Sequence, residues 1–320
     1  MLVSLQVNDS RGLDKIKYAF IVPTYNYAHF IVRALDSIFC QKSIDFQVIV
    51  MDDGSTDGTK SLLYSRYSSK KNFYYYFQDN KGPNVACCEA IRRSTAEYII
   101  FMAADDCLKA DYIQTINSIL DRDPSLDVVF GRSCSISIDG KRKKISNDLF
   151  PLDDPLACFR AFILGDISAT TCGTLVKRKL LKEFIDYPAA LPKSFDIVVI
   201  AHLLLKYRCF QSQSVFVDVY DHNKRFRNNI LATKNDAGLV DVMFDPILMG
   251  CHDEALIYKA EFLAKTQKSR GRIFFREEMW REALESYISA VRANANVALD
   301  LQVLKRMFVS FMMLKWKRTN

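Results

Sequence analysis

Hydrophobic and polar positions in the first half of the chain alternate between two periods. Tyr18-Ala-Phe-Ile-Val22 is an apolar run halted by Pro23, the pattern of a strand buried on both faces. Phe30, Ile31, Ala34, Leu35 and Ile38 then recur at helical spacing and predict a helix over 28–40. The same reading gives strands over 46–51, 73–77, 98–102 and 127–130, separated by helices over 58–67, 85–94 and 110–120. Such a βαβαβαβ series predicts an α/β fold, a Rossmann-like and mostly parallel sheet flanked by helices. The stretch 133–229 has shorter mixed runs, and from Leu239 onward the pattern turns helical. Trp280, Ala283, Leu284, Tyr287, Ile288 and Val291 share one helix face, and 270–294 has the pattern of a helix-turn-helix unit of tetratricopeptide type. We therefore divide the chain into a lead (1–16), an α/β domain (17–230) and a C-terminal helical region (231–320).

Ligands of open parallel sheets bind beyond the carboxyl ends of the strands. Four polar clusters fall at those ends: Pro23-Thr24-Tyr25-Asn26, Asp52-Asp53-Gly54-Ser55-Thr56-Asp57, Gln78-Asp79-Asn80-Lys81-Gly82 and Asp105-Asp106. No single cluster is specific, but four on one rim make a site.

Composition changes this picture little. The 320 residues are 49% hydrophobic and 25% charged, as in a globular protein. A formal charge of +7 suits an acidic partner such as a nucleotide diphosphate or an anionic lipid surface. No basic-aromatic motif indicates nucleic acid. The nine cysteines include no CxxC pair and read as reduced thiols of a cytoplasmic protein, located at most peripherally at the inner face of a membrane. The N-terminus lacks the apolar block of a signal peptide, and no uncharged apolar stretch is long enough to span a bilayer.

The run Ile21-Val-Pro-Thr-Tyr-Asn26, then Asp52-Asp-Gly-Ser-Thr-Asp-Gly-Thr59, Asn80-x-Gly82 and Glu97-Tyr-Ile-Ile-Phe-Met-Ala-Ala-Asp-Asp106 resembles the family 2 glycosyltransferases of the GT-A fold, of the bacterial surface-glycan type. The similarity extends from residue 17 to about 225 and is most specific over the first 110 residues. It implies inverting transfer of a sugar from a nucleotide diphosphate donor, usually a UDP-sugar, with Mn²⁺ or Mg²⁺, to a glycan or lipid-linked acceptor.

The chemistry of the residues agrees with that implication. Pro23 stiffens the strand exit, and Thr24 offers a hydroxyl to a nucleoside. A carboxylate at a strand end accepts the N–H of a uracil or a ribose hydroxyl, and the resemblance puts Asp52 or Asp53 in that role. Asp57 reads first as structural, at the start of a helix. Adjacent carboxylates at Asp105 and Asp106 repel each other and are relieved by a cation. Many relatives have Asp-x-Asp-Asp here, whereas this chain has Ala103-Ala-Asp-Asp106, one carboxylate fewer. An inverting transfer needs a general base for the acceptor hydroxyl. The resemblance places an acceptor segment at 168–176 and the base at Asp196, with Asp186 in reserve. It also brings His222 toward the metal, and Arg225 and Arg227 toward the diphosphate. His29, His202 and His252 read as structural. Helix 301–318 pairs Leu304, Phe308, Phe311 and Met312 with basic residues, and either packs on the catalytic domain or lies on an anionic membrane. Nothing in the sequence sets an oligomeric state. The alternative function is a catalytically inactive binding or scaffolding protein on the same fold. A nucleotidyltransferase would want glycines and a basic residue in the first loop, and Pro23-Thr-Tyr-Asn26 has neither.

Overall fold

The computed structural model describes residues 4–5, 16–42, 45–146, 152–187, 194–222 and 238–319. Its strands are β1 (Ser4–Leu5), β2 (Tyr18–Thr24), β3 (Phe46–Asp52), β4 (Phe73–Phe77), β5 (Tyr98–Phe101), β6 (Cys107–Leu108), β7 (Val128–Ile136), β8 (Arg142–Ile145), β9 (Leu175–Lys177) and β10 (Cys209–Tyr220). Its helices are α1 (Ala28–Phe39), α2 (Thr59–Tyr67), α3 (Pro83–Arg93), α4 (Tyr112–Arg122), α5 (Pro155–Leu164), α6 (Lys182–Ile185), α7 (Phe195–Lys206), α8 (Leu239–Met243), α9 (Pro246–Met249), α10 (Lys259–Arg276), α11 (Trp280–Ala293) and α12 (Leu301–Thr319).

Alternate residues of the central strands point into two different cores, which is why these segments read as continuous apolar runs. Ala19 and Ile21 of β2, with Ile49 and Met51 of β3, join a layer built from α3, α5 and α7. Tyr18, Phe20 and Val22, with Val48 and Val50, join the opposite layer built from α1, α2 and α4. The result is helix, sheet, helix. Strands β4, β3, β2 and β5 lie side by side and parallel, so their carboxyl ends form one rim.

Beyond that rim β7, the strand that includes 128–130, keeps the direction of β5 but does not lie beside it. The three-residue β9 sits between them, antiparallel to both. So short a strand carries too few residues for a readable period. Past it, β7 pairs in parallel with the long β10, whose last residue, Tyr220, delivers the chain back to the rim.

Leu239, Met243, Phe244, Leu248 and Phe262 belong to the same core layer as α5 and α7, so the first C-terminal helices pack on the sheet domain. A separate small core of Phe274, Ala283, Tyr287 and Val303 unites α10, α11 and α12. Gly271 makes the α10–α11 crossing, since a Cβ there would stand 2.7 Å from the Tyr287 ring. Helix α12 turns Val303 and Ser310 inward, whereas Leu304, Phe308, Phe311 and Met312 are exposed. Packing on the α/β domain therefore does not account for its apolar stripe. Among the described residues no helix is long and apolar enough to cross a membrane. All nine cysteines are free thiols.

Candidate active site

The first two rim loops are locked together by side chains from both. Asn26 has the left-handed backbone (φ 55°) that asparagine tolerates better than most residues. In that geometry its N–H donates to Ser55 Oγ at 2.8 Å, and its Oδ1 accepts the Thr56 N–H at 2.8 Å. Asp57 completes the clasp by accepting from Ala28 N–H at 3.0 Å and from Thr59 N–H at 3.2 Å. Burial alone would raise the Asp57 carboxyl, but the hydrogen bonds from Thr59 and Ala28 outweigh it and hold the group below its ordinary value. The motif residues Asn26 and Asp57 thus set loop shape.

The two adjacent aspartates of the second cluster diverge. Asp52 is wholly buried and turns inward, accepting from Ser55 N–H at 2.8 Å and from Tyr75 hydroxyl at 2.7 Å. Asp53 lines the rim cavity and holds the third loop, accepting from Gln78 Nε2 at 2.7 Å, Lys81 N–H at 2.9 Å and Gly82 N–H at 2.8 Å. Gly54, directly after Asp53, has φ +87°, and a Cβ there would stand 3.0 Å from the Asn80 nitrogen. Only glycine meets both demands at once. Thr24 also lines the cavity, and its Oγ1 has no partner among the described residues. A hydroxyl left so costs on the order of 1–3 kcal/mol until something accepts or donates to it.

Asp105 and Asp106 are buried where the chain leaves β5. His222 Nε2 faces Asp105 Oδ2 at 2.8 Å, and Asp106 Oδ1 accepts the Tyr220 N–H at 3.1 Å. The imidazole is held by rings of the first loop and helix: it stacks on Phe30 at 4.2 Å and meets Tyr27 edge-on at 5.9 Å. These are hard oxygen donors with one imidazole beside them, suited to Mn²⁺ or Mg²⁺ only if other ligands complete the shell. Among the described residues no group of three or more His, Cys, Asp or Glu is arranged to hold a metal ion.

A cavity of about 970 Å³ joins these parts. Pro23, Thr24, Tyr25, Asn26, Asp53, Asn80, Gly82, Asp105 and Asp106 line it, and so does Asp196, in the first turn of α7. Asp52 and His222 are not among its lining residues, and Arg225 and Arg227 lie outside the described residues. The reserve candidate Asp186 is not a lining residue either; it pairs with Arg92 at 3.9 Å.

Three contributors were missed by the sequence reading. Arg33 of α1 donates from Nη2 to the Asp105 carbonyl at 2.8 Å and stacks on Tyr220. Cys172, in the predicted acceptor segment, lines the cavity, and burial followed by the Asp106 carboxylate pushes its thiol well up. Burial, then Cys88 and Asp196, does the same to Cys87, another lining residue. Neither thiol is a nucleophile at neutral pH. Only Arg33 had a sequence signal, as the single Lys or Arg of the amphipathic helix α1.

A carboxylate-bearing cavity at the carboxyl rim of a half-parallel, half-mixed sheet defines the GT-A class of α/β fold. Residues 19–185, just over half of the chain, match the model of glycosyl transferase family 2, and the chain belongs to that family. It is 32% identical over 133 residues to a chondroitin synthase of Escherichia coli, covering 41% of this chain and 19% of that one. It is 29% identical over 134 residues to the putative teichuronic acid biosynthesis glycosyltransferase TuaG of Bacillus subtilis, covering 42% of this chain and 49% of TuaG. The matches thus span less than half the length of either relative. Among solved structures, S. aureus TarS 1–349 in complex with UDP superposes with a TM-score of 0.59 at 18% identity, covering 95% of this chain and 92% of that one. The mannosyltransferase PcManGT of Pyrobaculum calidifontis, in complex with GDP-Man and Mn²⁺, gives 0.51 at 19% identity, covering 93% and 80%. At such identities the likeness is one of fold.

Proposed function

We propose that the chain transfers a sugar, with inversion, from a nucleotide diphosphate donor to a glycan or lipid-linked acceptor in surface polysaccharide synthesis. Residues 17–230 would carry the reaction and 231–320 form its helical extension. The observation that carries this reading is the convergence of three rim loops, Asp105-Asp106 and Asp196 on one cavity. The solved neighbours support the donor class: TarS is described in complex with UDP and with UDP-GlcNAc, and PcManGT with GDP-Man and Mn²⁺. A UDP-sugar is our assignment for this chain.

In this scheme Thr24 and the Asp53-braced loops receive the nucleoside, and Thr24 Oγ1 gains the partner it lacks. Asp105 and Asp106, with His222 against Asp105, are the residues that would hold Mn²⁺ or Mg²⁺, the diphosphate oxygens completing the shell. The ion, when bound, offsets the charge building on the departing diphosphate. Asp196 is an exposed lining residue of the same cavity, in the first turn of α7. It would take the proton from the acceptor hydroxyl as that oxygen attacks the sugar.

The test is calorimetric titration with UDP, GDP, CDP and dTDP, each with and without Mn²⁺. Tight binding of UDP only with the metal is the expected result. A folded protein that binds none of the four would return the chain to the non-catalytic reading.

A further inference from the structure

The charge of this protein is not spread over it. Residues 259–319 hold thirteen Lys and Arg against six Asp and Glu, a net +7 that equals the formal charge of the whole chain. The remainder, including the α/β domain, is therefore neutral overall. Within the basic region α12 is the extreme case, with five basic residues and no acidic one in 301–319.

The same helix carries the longest run of exposed large apolar side chains among the described residues. Leu304, Phe308, Phe311, Met312 and Trp316 follow helical spacing, and Phe308 and Trp316 are 64% and 59% exposed. This stripe lies away from Val303 and Ser310, the positions by which α12 packs on the protein. Lys305 and Lys315 are exposed along with the stripe, and the Lys315 ammonium sits 4.7 Å from the centre of the Phe311 ring. The helix is too charged to enter a bilayer and has the make-up of one that lies in its surface.

We infer that the outer face of α12 docks on an anionic lipid surface, its aromatic and aliphatic stripe sunk among acyl chains and its lysines against the headgroups. A second copy of the chain is the other natural cover for such a stripe. Packed against itself in either direction, however, this helix brings Lys305 and Arg306 near Lys305 or Lys315, with no acidic residue of its own to pair them. An anionic surface complements that charge. The proposal stands apart from the donor and acceptor assigned above, because no residue of α12 lines the rim cavity.

The full chain should be sedimented with vesicles of phosphatidylcholine alone and of phosphatidylcholine mixed with phosphatidylglycerol. It should bind the mixed vesicles and not the neutral ones, and raised salt should weaken the binding. Phe308→Glu combined with Phe311→Glu should abolish it. Lys305→Glu combined with Lys315→Glu should weaken it by about 25-fold or more, from roughly fivefold for each basic residue lost at the surface. Both variants alter exposed positions and should bind UDP as the parent does. Three results would overturn the proposal: no binding to the mixed vesicles, equal binding to both kinds, or a lipid-free dimer that the Phe308→Glu change dissociates.

Discussion

The Arg33 guanidinium lies 3.5 Å from the centre of the Tyr220 ring while its Nη2 donates to the Asp105 carbonyl at 2.8 Å. Tyr220 in turn gives its N–H to the Asp106 carboxylate. One side chain from α1 thus ties the turn that carries both carboxylates to the end of β10, and through it to His222. Replacing Arg33 by Met should leave the sheet intact yet loosen this turn. We expect Mn²⁺-dependent UDP affinity to fall about tenfold, with UDP binding in the absence of metal unchanged. Lysine should recover little, since it has neither the planar stack nor the fork. An equal loss with and without metal would reduce Arg33 to a general structural role.

Asp106→Asn and Asp196→Asn should separate two halves of the reaction. The first should remove the metal-dependent part of UDP binding, read by calorimetry. The second should keep donor binding and lower the transfer rate by 10²-fold or more, the usual contribution of a general base. Normal turnover in Asp196→Asn would remove it from that role.

Asn26→Ala should destabilise the protein by about 2 kcal/mol in urea unfolding. Roughly half comes from the left-handed backbone, which alanine adopts at a cost of about 1 kcal/mol. The rest is the hydrogen bond to the Thr56 N–H, worth about 1 kcal/mol. Asn26→Gly keeps the backbone geometry and should lose only the second part. Equal losses in the two variants would contradict this division.

His202 should make the protein sensitive to mild acid. Burial pulls its pKa down to about 4, although a hydrogen bond from Nε2 to the Met243 carbonyl at 2.9 Å opposes the shift. The unfolded chain, with an ordinary histidine, binds the proton below about pH 6.5, while the folded one stays neutral to about pH 4. Stability is therefore full above pH 6.5 and falls as the pH drops toward 4, by about 3 kcal/mol from this group. His202→Gln, which keeps a donor toward Met243, should flatten that part of the curve. The check is urea unfolding of both proteins across this range.

The local sequence determined a large part of this protein. Strands β2 to β5 were legible as short runs of apolar and aromatic residues, and helix α1 because its apolar positions repeat at helical spacing. The polar clusters were legible because parallel strands of similar length must end on one rim. Those facts are short-range, and the family resemblance rests on them.

What only the tertiary structure decided lies between residues far apart in the chain. It set Asp53, and not Asp52, in the cavity wall, because Tyr75 one strand away claims Asp52. It brought His222 onto Phe30 and Asp105, more than a hundred residues upstream of it, through the unread strand β10. It wedged β9 between β5 and β7. It also left the apolar stripe of α12 facing outward, a choice that a helical period cannot make. Periodicity says that a helix has an apolar face, but the other surfaces competing for that face decide whether the fold covers it.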